Sequence, residues 1–405
     1  MIFTQYWHSK LFILSLAIFV GTLLWVANGL SISYKEALIF YEERNLLHYL
    51  THISTFIFGQ NSIALRLPFL LLYAVSVVLM YKMTHNYFKN ENDRLLSILI
   101  FMFLPGIVGA SLLVNNSIIV IFCTVLYLYR YKVTAEHNYY LLALFLFIDN
   151  SFAILFLALF FYALQNRHNT LFWVSLLLFG LSMYLYGFET SGKPKSHFVD
   201  LFAIYASIFS PFIFLYFFYA MYRVGIKGNK SIFWYISITA LIFSFLLSFR
   251  QKIAIEDFAP FVVVTIPVMM KLFFHSLRVR LPMFRNKHYV LSYVAVFLLA
   301  LNVWVILFNK PLYLLLENKE NHFAYKYHFA KEIAEILKEN KIKSAFSNDK
   351  ELDLRLKYYG IQEDKRHLIS LKPLKTYDKK FDIFYFNKNI FSFYYVNVTH
   401  KAKWF

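Results

Sequence analysis

The chain has 405 residues, of which 59% are hydrophobic and 16% charged, with 47 Phe and 31 Tyr. That excludes an ordinary soluble domain, whose apolar share is about half, and predicts a polytopic membrane protein. The net charge of +18 reads as basic residues that flank spans and favour anionic lipid, not as nucleic-acid binding, and the single Cys123 excludes a disulfide framework or a cysteine metal site.

Eleven apolar segments are expected, at about 10–30, 62–84, 95–112, 115–130, 138–149, 151–165, 170–187, 201–222, 232–249, 258–275 and 289–308. The first, Leu11 to Leu30, is too long for a signal-peptide core and has no clear small-residue cleavage site, so it reads as a retained span. The fifth and sixth are short and interrupted at Asp149-Asn150, which suits a re-entrant pair or one kinked span. Basic residues concentrate in the loops that face inward when the N-terminus is inside: Lys82, Lys89, Arg130, Lys132, Arg223 and Arg278 are among them. This orientation places 31–61, 188–200 and 250–257 outside, together with the segment after Asn309.

That last segment has a soluble composition and reads as a small α/β domain. Helices are expected over Phe329 to Lys338 and over Asp349 to Tyr359, the second stopped by Gly360. Strands are expected over Ile342 to Phe346, Phe381 to Phe386 and Phe391 to Val398. The division is therefore a membrane domain over 1–308, with interfacial helices within 31–61, and an outer α/β domain over 309–405.

The polar stretch 31–68 follows the first span and reads as one wall of an active site at the membrane surface. Glu36 is its principal acid. A carboxylate there suits a general base for an acceptor hydroxyl or amine, though Ala37, Leu38 and Phe40 equally suit the apolar side of an interfacial helix with Glu36 on its solvated face. Tyr34, Lys35, Glu42, Glu43 and Arg44 are candidate lining residues beside it. Arg250 and Lys252, just beyond the ninth apolar segment, form a second constellation suited to a lipid-linked phosphate or to end-of-span anchoring. Lys193, Lys195 and His197, in an adjacent outer loop, are candidates to join that patch, though ordinary anchoring suits them better. Asp149 is the acid set deepest among apolar residues and suits a site, a helix N-cap or a turn. No phosphate-cradling loop, H-E-x-x-H or G-x-S-x-G occurs, and no metal-ligand spacing or cofactor motif is apparent.

The run Gly59-Gln60-Asn61-Ser62-Ile63-Ala64-Leu65-Arg66-Leu67-Pro68 enters the second span, with Leu104-Pro105 in the third and Val114-Asn115-Asn116-Ser117 opening the fourth. This pattern resembles the membrane glycosyltransferases of the GT-C fold, among them the dolichyl-phosphate-mannose:protein mannosyltransferases and the bacterial aminoarabinose transferases. The resemblance implies transfer of a sugar, with inversion, from a polyprenyl-phosphate donor to a lipid, glycan or protein acceptor at the periplasmic face of a bacterial inner membrane. It implies Glu36 as catalytic base and Arg250 and Lys252 at the donor phosphate. Three positions depart from the family pattern: Lys35 replaces an Asp, Asn116 falls where a second acid is expected, and Asn150 falls where a Lys is expected. A flippase for a lipid-linked glycan and a catalytically inactive scaffold of glycan assembly are the competing classes. The first predicts inverted repeats and charges inside spans, and neither is evident here.

Overall fold

The computed structural model describes residues 2–187, 196–364, 366–373 and 377–398. The chain divides into two compact units, one formed by Met1–Val20 with Phe69–Val303 and the other by Gly21–Pro68 with Trp304–Phe405. Among the described residues six helices are long and apolar enough to cross a membrane, and up to eight spans result if each of two bent pairs is one. Eleven spans were expected. The difference lies in the short segments. Ile232–Ser248 has 17 residues, roughly 25 Å of helix against a hydrocarbon core of about 30 Å. The pair around Asp149 resolves into Tyr139–Phe145 and Phe152–Asn166, of 7 and 15 residues.

The first unit is helical. The expected third span breaks into Glu91–Met102 and Pro105–Leu112, bent by 52°. Pro105 has no N–H for the Phe101 carbonyl four residues back, which accepts from the Leu104 N–H at 3.3 Å, and the neighbouring Met102 carbonyl accepts from the Tyr73 hydroxyl at 2.9 Å. The expected eighth span breaks into Phe198–Phe209 and Pro211–Lys227, bent by 104°. Ser210 sits at the corner with φ +73°, the left-handed region that a serine occupies only where tertiary packing holds it. An Asp93–Arg278 ion pair joins residues far apart in sequence.

The second unit joins the polar stretch to the sheet-bearing segment. Ser33-Tyr34-Lys35-Glu36 starts the helix Tyr34–Tyr41 with a capping box. The helix Leu46–Phe58 follows. It buries Thr51, Ser54 and Thr55 and exposes Tyr49, Ile53, Phe56 and Ile57, an apolar outer face that suits a helix lying in a membrane interface. His48 and His52, one turn apart, donate to the Ile39 and Phe40 carbonyls at 3.1 and 2.8 Å. They thus satisfy the orphan last turn of the preceding helix.

Arg66-Leu67-Pro68 lies inside a helix, Ser62–Met83. Pro68 cannot donate to the carbonyl four residues back, Ala64, and the Ser54 hydroxyl takes that acceptor at 2.6 Å. The helix continues through the proline because its one freed acceptor is answered locally.

Four strands form a sheet in the order β1-β2-β4-β3: β1 Phe346–Ser347, β2 His367–Ser370, β3 Lys379–Tyr385 and β4 Lys388–Asn397. β1 pairs parallel to β2, while β2 and β3 pair antiparallel to β4. The helices Ala330–Glu339 and Lys350–Tyr358 cover it. Phe329, Ile333, Leu337, Leu352, Leu356, Ile369, Phe391 and Phe393 make the core. The expected helices and the last two strands are present within a few residues. The strand expected over Ile342 to Phe346 shrinks to β1, and β2 was not foreseen.

Candidate functional site

Glu36 is 2% exposed, at the first turn of Tyr34–Tyr41. Its Oε2 accepts from the Ser33 N–H at 2.8 Å and from Arg66 Nη2 at 3.0 Å, while the Ser33 hydroxyl accepts from the Glu36 N–H at 3.2 Å. Arg66 is fully buried, and its Nη1 and Nη2 also donate to backbone, to the carbonyls of Ser31 at 2.9 Å and of Leu30 and Ser62 at 3.3 Å each, while Nε has no hydrogen-bond partner among the described residues. A buried guanidinium needs such a set, because charge removed from water is costly unless paired and hydrogen-bonded.

Residues 30–33, which lead into Glu36, are clamped from the sheet-bearing segment of the same unit. Arg355 donates through Nε to the Ile32 carbonyl and through Nη2 to the His328 carbonyl, both at 2.8 Å. The Tyr359 hydroxyl accepts from the Ile32 N–H at 2.9 Å and lies 3.2 Å from the Ser62 hydroxyl. Tyr358 donates to the Asn61 carbonyl at 2.9 Å, and its ring meets Phe40 edge-on at 5.2 Å. Burial pushes the Tyr359 phenol up and lowers the pKa of the Arg355 guanidinium.

The other expected residues are distributed differently. Tyr34 is half-buried, and Lys35, Glu42, Glu43 and Arg44 are exposed. Glu43 accepts from the Asn45 side chain at 2.5 Å, so this pair organises the turn between the two helices. Glu36 is not on a solvated helix face, since the exposed neighbour is Lys35.

In the first unit Asn116 donates through Nδ2 to Asp149 Oδ2. The two site-lining candidates are thus brought together across 33 residues. Asp149 Oδ1 accepts from the Ser151 N–H at 2.9 Å, a local turn contact; the N-cap position of Phe152–Asn166 is Ser151 and not Asp149. Arg250 and Lys252 are exposed at the end of Ile232–Ser248. Lys252 lines a cavity of about 180 Å³ with Asn150, Ser151, Gln251 and Asp257. His197 faces Asp200 at 3.2 Å and donates its backbone N–H to the Ser248 carbonyl. Lys193 and Lys195 lie outside the described residues. Among the described residues no three His, Cys, Asp or Glu side chains gather as a metal site.

Sequence reasoning missed Ser33, Arg66 as partner to Glu36, and Arg355. The Ser33 role was readable, because S-x-x-E ahead of an apolar run is a capping-box pattern. Arg355 had no local signal, being 323 residues from its partner Ile32.

The comparisons with known proteins address the fold. The model of the dolichyl-phosphate-mannose-protein mannosyltransferase family matches residues 45–188. This stretch holds the Gly59–Pro68 run, Asn116 and Asp149, and begins after Glu36. The crystal structure of ArnT from Cupriavidus metallidurans bound to undecaprenyl phosphate superposes with a TM-score of 0.58 at 10% identity, over 96% of this chain and 97% of that one. No curated protein sequence matches. Both matches support the resemblance read from the sequence: this is a membrane protein with the GT-C glycosyltransferase fold.

Proposed function

We propose that the chain is a membrane glycosyltransferase that moves a sugar from a polyprenyl-phosphate donor to a lipid, glycan or protein acceptor on the periplasmic face of a bacterial inner membrane. The observation that carries this reading is the fold shared with ArnT over 96% of the chain, in a structure that holds undecaprenyl phosphate. In this reading the sheet-bearing segment after residue 309 is the periplasmic domain.

The donor phosphate is assigned to Lys252, which lines a cavity, with Arg250 beside it in sequence. As the bond from the anomeric carbon to the phosphate oxygen breaks, that oxygen gains charge, and cations nearby stabilise it more in the transition state than in the ground state. The acceptor oxygen forms the new bond to the anomeric carbon from the opposite face and gives up its proton to a carboxylate. The products are the glycosylated acceptor and the polyprenyl phosphate.

Glu36 is the proposed base. Its Oε2 is committed to Ser33 and Arg66, which also favours a second reading in which Glu36 positions the 30–36 loop and another group takes the proton. Glu36→Gln separates the two. A base role costs about 10²–10⁴-fold in kcat with little change in donor KM. A positioning role lowers thermal stability and leaves kcat within tenfold. The function itself is tested by incubating the purified chain with polyprenyl-phosphate sugars and measuring release of polyprenyl phosphate. No release from any hexose or pentose donor overturns it. A reporter fused after Phe405 tests the orientation, and a cytoplasmic signal sinks the periplasmic assignment.

A further inference from the structure

A cavity of about 870 Å³ lies wholly within the second unit, lined by the helices, β4 and the loops around the sheet. That volume is in the upper part of the range of small-ligand sites, about 300–1,000 Å³. The lining differs from a lipid pocket or a polyanion site. Lys319, Lys326, Lys372 and Arg355 share it with Glu317, Glu320, Asp349 and Glu351, so neither sign prevails. Such a wall offers both donors and acceptors to a neutral, hydroxyl-rich ligand. Tyr325 and Tyr394 supply aromatic surface in the same wall, over the buried Phe329–Phe391 pair. Aromatic faces bury the C–H surface of a sugar ring while its hydroxyls reach the polar groups.

Two features mark the cavity as built. Phe329 has φ +72°, a costly conformation for a bulky residue, and its ring is fixed by stacking on Phe391 at 4.6 Å. Arg355 commits Nε and Nη2 to backbone carbonyls, and Nη1 makes no hydrogen bond among the described residues. A cation of this cavity's wall is therefore already held in place, with one donor group uncommitted. Arg355 also ties the cavity to Ile32 and so to the loop that carries Glu36.

We propose that this cavity is a saccharide-binding site and that it docks the acceptor glycan. The second half of the proposal rests on the glycosyltransferase reading and narrows its acceptor class to a glycan or glycan-bearing molecule. Tyr394 and Tyr325 stack on the sugar rings, and Lys372, Arg355 and the carboxylates take the hydroxyls.

The test uses the full chain in detergent and three probes: maltotetraose, chitotetraose and a tetrasaccharide of alternating uronic acid and hexosamine. Binding is followed by saturation-transfer NMR and calorimetry. At least one probe is expected to bind with one site per chain, and Tyr394→Ala and Lys372→Glu are each expected to weaken it about tenfold at an unchanged thermal midpoint. No binding of any probe at millimolar concentration overturns the site, as does binding that neither substitution alters. The wild-type chain is assayed in parallel for release of polyprenyl phosphate. Saccharide binding without release overturns the acceptor role while the site stands. Release without saccharide binding overturns the site while the transferase reading stands.

Discussion

Replacing Arg66 with Ala strands the Glu36 carboxylate in a site 2% exposed. Removing one partner of a buried pair costs about 3–5 kcal/mol, because the remaining charge keeps its desolvation penalty and loses its counter-charge. Arg66 also serves three carbonyls, of which the Ser31 bond at 2.9 Å is well formed and the Leu30 and Ser62 bonds at 3.3 Å are long. The long bonds add little, so the expected loss is about 4 kcal/mol. Glu36→Gln alone is milder, about 1–3 kcal/mol, since Gln can still accept from Ser33 but leaves the guanidinium without its counter-charge. In the double variant Arg66→Met with Glu36→Gln neither partner of the pair is left unpaired by the loss of the other, and the two losses do not add. The coupling expected from the cycle is about 2–3 kcal/mol. The measurement is reversible unfolding of the purified chain in mixed micelles, with proteolysis of the 30–62 segment as a local readout. A loss below about 1 kcal/mol for Arg66→Ala, or a coupling near zero, refutes the argument that this pair organises the loop.

Three further outcomes follow from single contacts. Lys252→Ala is expected to raise donor KM about tenfold to a hundredfold, the value of a charge-assisted bond to phosphate, as measured by initial rates against donor concentration; an unchanged KM removes Lys252 from the phosphate site. Ser54→Ala leaves the Ala64 carbonyl without its donor beneath Pro68 and is expected to cost about 1–2 kcal/mol by the same unfolding assay, most of it recovered in Ser54→Ala with Pro68→Ala, where the helix can supply its own N–H. His328 is pushed down to about 3 from an ordinary 6.5, first by burial and then by Lys310, His322 and Arg355. Between those values the unfolded chain holds the proton that the folded chain refuses, so stability is full above about pH 6.5 and falls as pH drops toward 3, by up to about 1.4 kcal/mol per unit. The thermal midpoint of His328→Gln, measured from pH 7.5 to 4.5, is expected to fall less steeply than that of the wild type; parallel curves refute the assignment.

Much of the fold was legible because its signals are local. Long apolar runs identify Ser62–Met83 and Pro282–Leu307 by length alone. Asp349 caps the helix Lys350–Tyr358 through the Glu351 N–H, and Gly360 ends it with φ +82°, both readable from residue type and spacing. β3 and β4 are long enough to show their pattern. β2 has four residues and becomes a strand only because β1 and β4 flank it.

The candidate site was legible in its residue types and not in its pairings. Glu36 was singled out from the sequence, and so was the Arg66-Leu67-Pro68 run, but nothing local joins them across 30 residues. The same holds for Asn116 with Asp149 and for Arg355 with Ile32. A run of apolar residues or a cap acts through its neighbours in the chain, so composition and spacing contain it. A buried ion pair exists only where chain reversals remove both partners from water together, and that choice belongs to the tertiary structure. The sequence alone marked residues 31–68 as the polar wall; the tertiary structure decided that its acid faces an arginine inside the protein.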